Sequence, residues 1–244
     1  MNINAQKCAK KGSISEQLRH TQIIEILKAD RYANVKLLAK KLYVSEATIR
    51  RDLKQMQTLG LIERSHGGAI LPNNAKDISL SLRLVENAKA KQLIANKALP
   101  LIPPFNSLFV DSSSTALALA ERMDLSFKTV VTNNLQTAIQ LCKKENLHLI
   151  LVGGSIHSSS LSTTGSWTAR QIEEFNFDLC ILSCSAINNE EVYERTLEQK
   201  EIKLAAIKRS KKAILLVDKT KFCANGIYKL ANLCDFDNVV TDDI

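Results

Sequence analysis

Ser45-Glu46-Ala47-Thr48-Ile49-Arg50-Arg51-Asp52-Leu53 decides how the amino-terminal part of this chain folds. The side-chain oxygen of Ser45 suits a helix cap, because it accepts from backbone N–H groups that a first turn leaves unpaired. Ile49, Leu53 and Met56 follow at i, i+4 and i+7, which is one buried stripe of a helix. The opposite side of the wheel carries Ala47, Arg51 and Gln55, flanked by Thr48, Arg50 and Lys54. Arg can hold guanine bidentately, Gln can hold adenine, and small residues allow close approach, so this face suits the major groove of DNA. Taken alone, the same pattern also fits an ordinary basic surface helix.

The flanking sequence separates the two readings. Residues 35–42 form a short amphipathic helix with Asn34 as its N-cap, and Tyr43-Val44 is short enough only for a tight turn. Ile23, Ile24, Ile26 and Leu27 belong to a longer helix over residues 15–29. Three helices in this order, with a short turn before the third, make a helix-turn-helix unit. After Gly60 the period changes: residues 61–64 read as a strand and His66-Gly67-Gly68 as a turn into Ala69-Ile70-Leu71. That hairpin is the wing of a winged helix. Asp52 points to the packed side, so it is expected to orient a nearby Arg or backbone donor, not to touch a base. His66 is expected to be a turn or phosphate-side residue, since no Cys or His partner lies at ligand spacing.

Arg19, Ile23 and Leu27, then Ser45, Thr48 to Leu53, then His66-Gly67-Gly68-Ala69, resemble the amino-terminal signature of DeoR-type transcriptional regulators. The match runs from about residue 19 to 71. Together with the wheel, it nominates Ser45, Ala47, Thr48, Arg50, Arg51, Lys54, Gln55, Arg64 and His66 as DNA-binding residues.

Charge is distributed accordingly. The chain of 244 residues has a formal net charge of +8. Residues 1–72 hold 13 Lys+Arg against 6 Asp+Glu, a net of +7, and the remainder holds 20 against 19, a net of +1. A basic module attached to a near-neutral domain is the electrostatic footprint of a DNA-binding protein. Hydrophobic residues make up 45%, enough for a real core, and no apolar run reaches transmembrane length. With no signal-peptide layout, a cytoplasmic location is expected. The six cysteines form no CxxC pair and are expected to be reduced and mostly buried. Cys180 and Cys184 lie in a strand-like run and are not expected to share a metal. The domain plan is a polar, disordered leader over 1–14, a winged helix-turn-helix over 15–72, a linker over 73–90 and a larger domain over 84–244, with a helical pattern over 79–101.

That larger domain alternates strands and helices. Apolar runs end in Asp111, in Thr132-Asn133, in Gly153-Gly154, in Ser183-Cys184-Ser185 and in Asp218, with helices at about 115–123, 135–142 and 198–209. Such near-continuous strands imply a mostly parallel, Rossmann-like α/β sheet covered on both faces. Ligands bind beyond the carboxyl ends of such strands. Five polar loops collect there, and hydroxyls, backbone N–H groups and a lysine suit a phosphorylated ligand, although Ser, Thr and Asp also cap helices and fill turns.

The resemblance extends to this half. Asp111 to Thr115, Thr132-Asn133, Gly153-Gly154, Gly165 and Asp218 to Phe222 look like the DeoR-family sensor domain, which is similar in fold to ribose-5-phosphate isomerase and glucosamine-6-phosphate deaminase. The resemblance implies a phosphorylated sugar effector, no cofactor and no metal, and control of carbohydrate genes. The effector residues it nominates are Asp111, Ser112, Ser113, Ser114, Thr115, Thr132, Asn133, Gly153, Gly154, Glu198, Asp218 and Lys221. The chain departs from the family at Ser113, Ser183 and Ala186, where glycine is usual, and a side chain there narrows the pocket or alters the loop. A regulator, usually a repressor and at least a dimer, is therefore expected. The alternative is a sugar-phosphate isomerase or deaminase, but Asp111, Asp218 and Glu198 sit in no motif that commits them to proton transfer.

Overall fold

The computed structural model describes residues 16–58, 60–71, 80–222 and 224–243. Two compact units divide the chain, Met1–Ala75 and Lys76–Ile244. The leader over 1–14 and the turn-forming segment after Leu71 lie outside the described residues.

In the first unit, α1 (Glu16–Asp30), α2 (Val35–Leu42) and α3 (Glu46–Thr58) pack around Ile23, Leu27, Leu38, Ile49, Leu53 and Met56, all fully buried. Each such side chain contributes ~1.5–3 kcal/mol by leaving water. Asn34 caps α2 by accepting from Leu37 N at 2.8 Å. Tyr43 ends α2 in the left-handed conformation, with φ 55°, which makes the sharp turn into α3. The wing is β2 (Glu63–Ser65) and β3 (Gly68–Ile70), and a strand not evident from sequence, β1 (Tyr32–Asn34), completes a sheet of order β1-β3-β2. Leu61 and Ile62 are buried ahead of β2, not part of it. Gly68 is where the wing meets β1: an added Cβ would lie 2.3 Å from Ala33 O.

In the second unit the helical pattern at 79–101 resolves into α4 (Leu80–Val85) and α5 (Ala88–Ala98). Asn87, with φ 51°, breaks it. The strands β4 (Ser107–Val110), β5 (Thr129–Thr132) and β6 (His148–Leu151) follow, alternating with α6 (Ser114–Ala120) and α7 (Leu135–Leu141). A hairpin of β7 (Ser155–His157) and β8 (Ser162–Thr164) precedes α8 (Ser166–Glu173) and β9 (Phe177–Ser183). Next come β10 (Ala186–Asn188), β11 (Glu191–Glu194), α9 (Leu197–Lys208), β12 (Ser210–Val217), β13 (Tyr228–Asn232) and β14 (Asn238–Thr241).

Six strands form one parallel sheet in the order β14-β12-β9-β4-β5-β6. Side chains alternate between its faces. Phe109, Cys180, Leu182, Leu215 and Val217 meet Ile172 of α8 and Ile202, Ala205 and Ala206 of α9. Leu108, Val110, Leu179, Ile181, Ile214 and Leu216 meet α5, α6 and α7. Burial on both faces explains why the strands read as continuous apolar runs. The antiparallel sheet β10-β11-β13 and the β7–β8 hairpin are additions the sequence reading did not contain. Of the described cysteines, Cys180 and Cys184 are buried but Cys142 and Cys234 are exposed, which corrects the expectation that most are buried.

The chain order reverses at β4: β5 and β6 extend the sheet on one side, and β9, β12 and β14 on the other. A crevice therefore opens beyond the carboxyl ends of β4 and β9.

Candidate functional site

In the first unit, Ser45 Oγ accepts from Thr48 N at 3.1 Å and lies 2.9 Å from Thr48 Oγ1. This cap starts α3 with Ile49, Leu53 and Met56 inward. Ser45, Ala47, Arg50, Arg51, Lys54 and Gln55 are exposed, Thr48 is half-buried, and Arg64 and His66 are exposed on the wing. All nine nominated residues thus reach the surface of this unit. Arg50 donates to Glu46 at 2.7 Å. Arg51 has no ion-pair partner among the described residues. Asp52 is buried and receives two hydrogen bonds from Arg19.

In the second unit, a cavity of about 420 Å³ lies at the crevice between β4 and β9. Arg83 and Glu86 come from α4 and the turn after it, Ser112 and Ser113 from the end of β4, and Ser183, Cys184 and Ser185 from the end of β9. His157, Ser159, Ser160 and Thr164 come from the hairpin, Glu194 to Thr196, Glu198, Gln199 and Lys203 from β11 and α9, and Lys221 from beyond β12. Among the described residues, the lining holds no aromatic ring other than the His157 imidazole and no aliphatic side chain. These groups offer a ligand charge and hydrogen bonds.

Its floor is a buried ionic cluster. Lys203 Nζ donates to Glu194 Oε1 at 2.5 Å and to Ser183 O at 2.7 Å, and lies 3.2 Å from Asp111 Oδ2. Burial opposes its charge, yet Glu194 and Asp111 hold the Lys203 pKa above its ordinary value. Asp111 also accepts from Ser113 N at 2.9 Å and Ser183 N at 3.0 Å, so it ties the two strand ends together. Gln199 bridges the loops above, with Ser112 Oγ at 3.2 Å and Ser162 Oγ at 3.0 Å. Burial pushes the Cys184 thiol up to about 12, so it is not a nucleophile.

Of the nominated effector residues, Ser112, Ser113, Glu198 and Lys221 line the cavity. Asp111 lies beneath it, fully buried. Ser114 and Thr115 are buried in the first turn of α6. Thr132 accepts from Asn134 N, and Asn133 donates to Thr163 O, so both build the hairpin junction. Asp218 caps the turn before Lys221. Gly153 bonds to Gln171, and Gly154 lies where an added Cβ would meet Thr168 Oγ1 at 1.9 Å. Gly154 thus gives Thr168 of α8 room for its close approach. Ser113 Oγ caps α6 by accepting from Ala116 N, Ser183 is buried at the Asp111 contact, and Ala186 is buried in β10 away from the lining. Sequence reasoning missed Lys203, Glu194, Gln199, Arg195 and Arg83. For Lys203 a signal existed: it sits among Ile202, Ala205 and Ala206, where a lone lysine needs a buried partner.

Two comparisons bear on these sites. Residues 19–75 match the family described as "DeoR-like helix-turn-helix domain", and residues 86–243 match "DeoR C terminal sensor domain". The glycerol-3-phosphate regulon repressor of Escherichia coli (strain K12) is 34% identical over 226 residues, 92% of this chain and 90% of its own. The HTH-type transcriptional regulator GolR of Listeria innocua is 33% identical over 231 residues, 92% of this chain and 90% of its own. Among solved structures, ribose 5-phosphate isomerase A from Neisseria gonorrhoeae overlaps 55% of this chain and 53% of its own at 12% identity, with a TM-score of 0.39. An overlap that loose carries no argument.

A winged helix-turn-helix joined to a parallel α/β domain defines a DNA-binding transcriptional regulator, not an enzyme. The chain belongs to the DeoR family. No helix among the described residues is long and apolar enough to cross a membrane.

Proposed function

We propose that this protein is a cytoplasmic transcriptional repressor of carbohydrate or polyol metabolism genes, controlled by a small phosphorylated metabolite that binds in the cavity between β4 and β9. The observation that carries this reading is the lining of that cavity. Arg83, Arg195 and Lys221 supply positive charge for a phosphate, while Glu86, Glu198 and the serine hydroxyls can pair with hydroxyl groups. Hydroxyls, amide and charged groups throughout the described lining suit a phosphorylated sugar or polyol. A relative named for a glycerol-3-phosphate regulon supports the same ligand class.

On this reading Ala47, Arg51, Lys54 and Gln55 face base edges, and Ser45, Thr48, Arg50, Arg64 and His66 contact or position against the duplex backbone. Two such heads are needed to read a repeated operator, so the working form is a dimer or larger. The metabolite acts by favouring one arrangement of the heads energetically. Thermal-shift screening with glycerol 3-phosphate and a panel of aldose and ketose phosphates, followed by gel-shift titration on the chain's own upstream DNA, tests the proposal. At least one compound is expected to raise the melting temperature and change DNA affinity. A panel in which none does either would overturn it.

A further inference from the structure

A notch of about 340 Å³ opens between α2, α3 and the wing, lined by Asn34, Val35, Lys36, Glu46, Arg50, Arg64 and Gly67. Three cations from three separate elements converge there with one carboxylate, leaving a formal charge of +2. The fold imposes this meeting. Val35 N donates to Gly67 O at 2.9 Å, β1 pairs with β3 with Asn34 opposite Gly68, and Tyr32 Oη donates to His66 O at 2.9 Å. The start of α2 is thereby stitched to the wing turn, which keeps the backbone of Lys36 beside the wing that carries Arg64. Lys36, Arg50 and Arg64 are all exposed.

Arg50 uses one arm on Glu46. A guanidinium has five N–H donors, so others stay available. Around α3, Arg50 lies about 100° from Arg51, on the flank nearest the wing and not on the edge that carries Ala47, Arg51 and Gln55. A concave site with cations on several sides matches a tetrahedral anion. A base edge is flat and presents alternating donors and acceptors, which an ammonium reads poorly.

We propose that this notch anchors one phosphate group of the duplex backbone, with Lys36 and Arg64 as its main cationic walls, and that it sets the docking register without reading sequence. The inference rests on the DNA-binding function alone and is independent of the effector.

The test uses the full chain without added metabolite. Fluorescence anisotropy would follow binding to a duplex of its own upstream region and to a scrambled duplex of equal length, from 0.05 to 0.3 M KCl. Lys36→Ala and Arg64→Ala are each expected to weaken both duplexes by about fivefold at 0.15 M salt and to lower the slope of log K against log salt by about 0.9, as loss of one phosphate contact requires. Lys36→Arg should restore both quantities. The proposal is overturned if either alanine variant, with circular dichroism unchanged, loses affinity only for the upstream duplex, keeps the wild-type slope, or binds both duplexes as tightly as the wild type.

Discussion

Arg19 and Asp52 join α1 to the recognition helix through two hydrogen bonds, Nε to Oδ2 at 2.5 Å and Nη2 to Oδ1 at 2.8 Å. The fork of a guanidinium meets both carboxylate oxygens, the geometry that fixes orientation as well as charge. The hydrogen bond to Asp52 holds the Arg19 pKa above its ordinary value against the effect of burial. The Asp52 carboxylate is 2% exposed and the Arg19 side chain 11%, so an amide in place of the carboxylate removes the charge that Arg19 is built to meet in a poorly solvated setting. Asp52→Asn is therefore expected to cost the DNA-binding unit ~3–5 kcal/mol. Urea denaturation followed by circular dichroism should show an early transition for this unit ahead of the second. A loss below ~1 kcal/mol would mean the pair behaves like a surface bridge.

Arg51 and Ile49 sit on opposite sides of α3, one exposed and one with no exposed surface. Removing the Arg51 side chain leaves the packing untouched. Arg51→Ala is expected to cost ~1–3 kcal/mol on the operator and much less on scrambled DNA, because a bidentate base contact is lost. Equal losses on both duplexes would instead assign Arg51 to a phosphate. Read beside Lys36→Ala, this variant separates sequence reading from anchoring.

The recognition helix was legible because its period and cap chemistry are local: Ser45, Ile49, Leu53 and Met56 need no distant partner to be understood. The same holds for the strands of the parallel sheet, whose burial on both faces leaves unbroken apolar runs such as 213–217. What sequence could not reveal depends on pairing across the chain. Strand β1 exists only because Gly68 lets the wing approach Ala33 O. Gly153-Gly154 reads only as a strand end at the ligand crevice, and the close approach of Thr168 to Gly154 is invisible in the sequence. The cavity draws Arg83 from a segment that reads as linker and Lys203 from the middle of a helix, and no local pattern links either to Ser112.

Lys203 and Lys221 line one cavity but differ in burial, and their variants should behave oppositely. Lys203→Met leaves Asp111 and Glu194 as buried carboxylates with no cation between them, and is expected to cost the second unit ~3–5 kcal/mol. Lys221 is half-exposed on a turn. Lys221→Ala should change stability by less than ~0.5 kcal/mol, leave DNA affinity intact, and weaken the response to metabolite. Thermal melts with and without the best compound from the phosphate panel measure both. An unchanged metabolite shift in Lys221→Ala removes this residue from the site.

Lys91 gives the second unit a pH dependence of defined sign. Its Nζ is buried and donates to the backbone carbonyls of Arg83 and Glu86, closing the end of α4. Burial pushes its pKa from 10.5 down to about 8, with Asp218 and Glu86 opposing the shift. The unfolded chain therefore binds this proton more tightly than the folded one. Below the folded value both states are protonated, and the cost of the buried ammonium is fully present. As pH rises from about 8 towards 10.5 the folded state releases the proton first, the unfolded state carries more protons, and stability rises. Lys91→Met carries no such proton. The stability of the wild type relative to this variant is expected to increase by up to about 3 kcal/mol between pH 7 and pH 10. Urea titrations of both proteins at the two pH values test it, with the other titrating groups common to both. Parallel changes in the two would show that the Lys91 ammonium is as well solvated in the fold as in water.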